Sequence, residues 1–296
     1  MIEQKLFKKI GLLRITEGQK SRLFCIPKNA EENTFTASVF PYLVGPQSVL
    51  EVYPEANLIA TQDTLMTLDG RILRQQEHIK ISVELVSDKW LIIEDTQSDN
   101  DNRYLVVFWD GQKESGYFWG QYIIRSEKYF AVYTVSNHLW RVYMYDGRQV
   151  LEIHNVEKNV RLQGDFLLVE GLGIYTAYTL VGDSKKNSEE KCVFKHQQLI
   201  LCSSYDNFAL CCNLQGVTQT YFRGEYTNYG EVGEVNLYDH AGIFSIRRNG
   251  RYFLYKLNGE RFAENICPYG ADMVAYNTSE NTLLIDTNSV LHLIRI

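Results

Sequence analysis

The sequence predicts an all-β fold built from repeated antiparallel units, on three observations. Short runs rich in Val, Ile, Tyr and Phe recur along the chain, each bounded by polar turn residues. No window longer than about ten residues combines i, i+3, i+4 apolar spacing with helix caps, and residues 1–10 are the single candidate exception. Asp-Gly and Asn-Gly dipeptides close many of the runs at a nearly constant interval, which is the pattern of hairpins in a repeat.

The clearest copies lie between Tyr104 and Gly147. Tyr104-Leu-Val-Val-Phe-Trp109 ends on Asp110-Gly111, and Trp140-Arg-Val-Tyr-Met-Tyr145 ends on Asp146-Gly147. Inner apolar runs beginning at Leu58, Leu91, Phe130, Phe166, Phe208, Ile243 and Met273 start successive units roughly 30 to 40 residues apart. Most units then meet a turn: Asp69-Gly70, Asp110-Gly111, Asp146-Gly147, Gly182-Asp183, Gln215-Gly216 and Asn258-Gly259. Glycine and Asx residues tolerate positive φ, so tight two-residue hairpins are expected there. The unit at Phe208 is irregular, because Gln215-Gly216 follows its first run too soon, and its frame is offset by a strand.

This grammar resembles the β-propeller repeat proteins, from Asn57 to Ile296. The resemblance implies seven blades, with six and eight as the alternatives, in one domain spanning residues 1–296. Residues 1–56 then supply one or more closing strands and an irregular loop that includes Lys28-Asn-Ala-Glu-Glu-Asn33, and an N-terminal strand completes the short last blade. Four of the five prolines, Pro27, Pro41, Pro46 and Pro54, fall in that first segment, as connections and edges require. No family within the group is specified. Trp109-Asp110 resembles the dipeptide that ends a WD-type repeat but lacks its upstream Gly-His, Trp119-Gly120 occurs once, and the Ser-x-Asp-x-Gly-x-x-Trp box of sialidase-like propellers does not occur.

Charge narrows the partners. A net charge of −6 disfavours nucleic acid and anionic membranes, both of which need a basic surface. Arg247-Arg248 with Arg251, around Asn249-Gly250, forms a local basic cluster and reads as a solvated hairpin tip. The first ten residues alternate charge with hydrophobicity and lack the apolar core of a secretory signal, and no apolar run is long enough to span a bilayer. A cytoplasmic protein is expected, with its six cysteines as reduced thiols and Cys211 and Cys212 on opposite faces of one strand.

No motif for chemistry emerges. The histidines are scattered, and the one near pair, Cys192 and His196, sits among strand-like residues, so no metal is expected. The acidic run from Asp95 to Asn102 lacks EF-hand spacing and reads as a hairpin loop. Gly171-Leu-Gly173 is a turn, and no nucleophile elbow is present, so neither a cofactor nor a catalytic residue is assigned.

The most site-like stretch is Gly224 to Glu234, read as a glycine-rich loop between blades. Its Glu225, Tyr226, Tyr229, Glu231 and Glu234 combine carboxylates with aromatic rings that could grip a basic partner or a sugar. The sequence therefore points to a non-enzymatic propeller that binds another protein with a basic surface. One concrete form is an immunity protein whose acidic, aromatic face plugs the active site of a nucleic-acid-cleaving toxin. The alternatives are a propeller enzyme or carbohydrate-binding protein, with carboxylates converging at the mouth of a central channel, and a structural propeller within a larger assembly.

Overall fold

A computed structural model describes residues 2–27, 36–43, 45–75, 80–86, 89–98, 101–156, 159–182 and 186–296. Thirty strands in these residues assemble into eight sheets, each made of strands consecutive in sequence. Six sheets have four strands. They run from Ile2–Phe7 to Ser38–Val39, Leu50–Tyr53 to Ile72–Gln75, Lys80–Val86 to Glu114–Gly120, Tyr122–Arg125 to Gln149–His154, Val160–Gln163 to Cys192–Lys195, and Gln197–Cys202 to Glu225–Glu231. The seventh sheet (Glu234–Tyr238, Ile243–Arg248, Arg251–Lys256) and the eighth (Met273–Asn277, Thr282–Thr287, Val290–Arg295) have three strands each. A succession of up-and-down four-stranded meanders is how the blades of a propeller are made, and the chain is a β-propeller.

Six of the seven inner runs fall on the second strand of their sheets, where burial on both faces demands continuous hydrophobicity. Met273 instead opens the first strand of the eighth sheet. The sheet that the inner runs did not reveal is the first. Its strand Ile2–Phe7 pairs with Leu12–Glu17, from Ile2↔Glu17 to Phe7↔Leu12. The eighth sheet draws all its described strands from the chain beyond Met273. A local hairpin of this kind costs far less loop-closure entropy than joining distant segments. That hairpin also replaces the helical exception in residues 1–10, where only the 3-10 turn Lys8–Ile10 is helical.

The Asx-Gly turns also differ from expectation. The Lys256 carbonyl accepts from Gly259 N at 2.9 Å while Lys256 N donates to Glu260 O at 2.8 Å. Thr67 repeats both bonds with Gly70 and Arg71. These are three-residue loops, a type I turn followed by one left-handed glycine, rather than two-residue turns. In these loops only the glycine needs positive φ, +88° at Gly70 and +86° at Gly259. Asp110 instead accepts the Gln112 and Lys113 amides at 2.9 and 2.8 Å, which hold its carboxyl below the usual range. In the sixth sheet Gln215-Gly216 joins the second and third strands and Arg223-Gly224 the third and fourth, which is the one-strand offset that the sequence suggests.

The four early prolines lie outside the strands, and the Lys28 to Asn33 segment falls outside the described residues, as do Asp99 and Asp183. All six cysteines are free, and Cys211 packs with Ile200 and Phe166 while Cys212 packs on the opposite side with Phe208 and Phe244.

The chain divides into two compact units. One comprises residues 1–123, 132–135 and 145–147, the other residues 124–131, 136–144 and 148–296. In the first, Leu58, Leu65, Ile92, Val107 and Trp109 form the core between the second and third sheets. The Trp109 indole N–H donates to the Ala56 carbonyl at 2.7 Å, and Arg71 lies 5.7 Å above its ring. Trp109→Phe leaves that buried carbonyl without its donor and should lower stability by about 2 kcal/mol, measurable as a lower urea midpoint. The same sheets share an ion network, in which Arg74 Nε meets Glu94 at 2.8 Å and Arg74 Nη2 meets Glu114 at 2.9 Å.

Candidate functional site

The segment predicted as a loop is mostly a strand. Arg223 and Gly224, at φ +49° and +102°, turn the chain into Glu225–Glu231, the outer strand of the sixth sheet, and Glu234 opens the seventh. Tyr226 and Thr227, set opposite Tyr221 and Thr220, favour this pairing, which runs from Phe222↔Glu225 to Val217↔Glu231. A bulge opposite Thr218 and Gln219 interrupts the register at Tyr229.

The five predicted side chains therefore do not share one surface. Tyr229 is buried among Phe208, Val235, Phe244 and Ile246, with its ring edge-on to Phe244 at 5.6 Å and to Tyr255 at 5.1 Å. It is a core residue, and the expectation that it contacts a partner from a loop is corrected. Tyr226 is exposed and leans on Tyr221 and Phe194, 5.1 and 6.1 Å between centroids. Glu225 and Tyr226 stand at one end of the strand and Glu231 at the other, about 20 Å away at the rise of an extended chain.

What converges is Glu231 and Glu234 with the arginine hairpin tip. Gly233 N donates to the Arg247 carbonyl at 2.9 Å, drawing the link between the sixth and seventh sheets against the turn after Ile243–Arg248. The result is an open groove of about 820 Å³ lined by Gln215, Glu231, Val232, Glu234, Arg247 and Arg248. Glu234 is already satisfied, since it accepts from Asn236 at 3.0 Å and from the Tyr252 hydroxyl at 2.8 Å, with Arg247 at 3.6 Å. Those two hydrogen bonds, Asn236 first, and the guanidinium charge hold its carboxyl below the usual range. Arg247 in turn lies 5.2 Å over the Tyr252 ring. Among the described residues, Glu231 and Arg248 make no side-chain hydrogen bond or ion pair, so the groove offers one open charge of each sign. Arg251 faces elsewhere, donating to Gly270 O at 3.0 Å and meeting Asp272 at 3.3 Å.

A set of aspartates joining neighbouring sheets escaped the sequence reading. Lys128 Nζ reaches both Asp165 oxygens at 3.1 and 3.3 Å, and the Tyr129 hydroxyl donates to the same carboxylate at 3.1 Å. Burial, and then the Asp165 charge, push the Tyr129 phenol well above its ordinary value. Two sheets further, Asp239 accepts from the Ser203 hydroxyl at 2.6 Å and the Ser204 amide at 2.9 Å. Each aspartate stands in the turn between the first and second strands, just ahead of an inner run, and that placement was the available signal. Among the described residues, no group of three or more His, Cys, Asp and Glu is placed to hold a metal, and no helix is long and apolar enough to cross a membrane.

No protein-family model matches the sequence, and no curated protein matches it. Among solved structures, the chain is similar to Kluyveromyces lactis Hsv2p, at 8% identity over 99% of this chain and 97% of that one, with a TM-score of 0.33. It is similar to Sqt1 from Chaetomium thermophilum at 11% identity, 97% and 93% coverage and a TM-score of 0.34. It is also similar to the β-propeller domain of Cps50 (Swd1) from Myceliophteria thermophila at 8% identity, 83% and 95% coverage and a TM-score of 0.27. Likeness this low carries no functional argument, and the β-propeller assignment rests on the chain's own sheet topology.

Proposed function

We propose that the chain is a protein-binding propeller whose docking surface is the groove between the Glu231–Glu234 link and the Arg247–Gly250 tip. The observation that carries this reading is the pair of open charges in that groove, Glu231 and Arg248, beside a neutralised Glu234–Arg247 pair. A partner that presents a basic residue to Glu231 and an acidic one to Arg248 would gain two ion pairs without breaking an existing one. The adjoining strand edge is blunted by the charges of Glu225 and Glu231 and by the bulge at Tyr229, which disfavours strand addition and leaves side-chain docking as the mode.

The narrower form of the proposal is an inhibitor that covers a basic active site, such as that of a nucleic-acid-cleaving toxin. Its support is the net charge of −6. The test is affinity capture with the full chain, followed by affinity measurements on the purified partner. Glu231→Arg and Arg248→Glu should each weaken binding about tenfold, while Glu225→Arg, at the far end of the strand, should leave it unchanged. A captured partner of net positive charge supports the narrower form. Equal affinity for all three variants removes the groove from the interface.

A further inference from the structure

A second pocket, of about 490 Å³, opens where the fifth sheet faces the sixth, and it is independent of the docking groove. Its lining includes Arg161, Leu168, Glu170, Tyr175 and Ile200. The strand register explains why these residues share a face. Arg161 lies opposite Leu168, Glu170 lies opposite Tyr175, and Leu168 and Glu170 are two apart on one strand. Leu168 and Ile200 are buried and form an apolar floor that continues into the core between the two sheets.

The charged groups at the rim are open. Among the described residues, the Arg161 guanidinium makes no hydrogen bond or ion pair. The Tyr175 hydroxyl donates to Glu170 Oε1 at 3.0 Å, which fixes that carboxylate and leaves Oε2 without a partner. Arg161 and Glu170 are diagonal neighbours across adjacent strands, with Cα atoms roughly 8 Å apart from the spacings of a sheet. They are not paired with each other, so a small guest carrying both charges on neighbouring groups can bridge them.

We infer that this pocket binds a free α-amino acid with an aliphatic side chain. Its carboxylate sits on the Arg161 guanidinium, its ammonium group on Glu170 Oε2, and its side chain on the floor of Leu168 and Ile200. A simple carboxylate would leave Glu170 facing an anion, and an amine would leave Arg161 unused, so the zwitterion is the guest that meets both groups. The volume suits a small molecule of this size and excludes a folded partner.

The experiment is isothermal titration of the full chain with L-leucine, 4-methylpentanoate, 3-methylbutylamine and L-leucinamide. L-leucine should saturate, and each of the three analogues, lacking one charge, should bind at least about tenfold more weakly, a loss near 1.4 kcal/mol. Arg161→Gln and Glu170→Gln should each cost L-leucine a similar factor. Both residues are exposed, so unchanged thermal unfolding of the variants confirms that they fold. The inference is overturned if L-leucine shows no saturation by about 10 mM, if either variant binds it as the parent does, or if any analogue matches it. Leucinamide equal to leucine would mean that a chain N-terminus is the guest instead.

Discussion

Gly164→Ala is expected to lower the unfolding free energy by about 3 kcal/mol or more. Two costs add. Gly164 has φ +54°, where a Cβ is strained, and that Cβ would overlap the carbonyl oxygen of Ser203 in the turn of the next sheet. The obstacle is backbone, so no rotamer change relieves it. Moving the turn aside would also disturb the Gln163 bond to the Cys202 carbonyl at 2.7 Å and the Lys128 and Tyr129 contacts of Asp165. Gly171→Ala is the control, since nothing stands within 4 Å of its Cβ and its φ is not left-handed. Urea unfolding of both variants decides the matter, and equal midpoints would mean that the two turns do not approach each other as described.

Arg74→Met should cost about 3 kcal/mol at neutral pH, because it strips a buried carboxylate of its counter-ion. Glu94 is 2% exposed and meets Arg74 at 2.8 Å. Burial raises its pKa above the ordinary value, and Arg74 opposes that rise. An acid whose folded pKa exceeds its unfolded one binds more protons when folded. Its contribution is therefore complete below the ordinary carboxylate range and fades as pH rises through the folded value. Without Arg74 the folded pKa climbs further, so the deficit should shrink on going from about pH 7.5 to about pH 5, as Glu94 protonates. Denaturation at both pH values measures this, and a deficit independent of pH would exclude Glu94 as its source.

Strand grammar made most of the fold legible. Runs such as Leu58-Ile-Ala and Phe130-Ala-Val are buried on both faces, and a second strand in that environment has to be continuously apolar. The first sheet was hidden because its hairpins turn at Gly11 and at Gly18-Gln19, without an Asx-Gly dipeptide to mark them. At the candidate site, composition revealed the charges but not their neighbours. Glu231 and Arg248 line one groove because of how the sixth sheet leads into the seventh, a register that no local pattern encodes. Tyr229 was misplaced for the opposite reason, since a bulge inside an apparently polar, glycine-bearing stretch carries its ring into the core. Asp165 and Asp239 escaped because their partners lie some 36 residues away.

Those aspartates reach one unit backward and stop. Asp165 is gripped by Lys128 and Tyr129, and Asp239 by Ser203 and Ser204. Copying a stretch one unit long would copy both the gripping turn and the gripped carboxylate, so a duplicated blade would arrive with its couplings already matched. Couplings that run only from one unit to its neighbour let an array lengthen by gene duplication without inventing a new interface at each step.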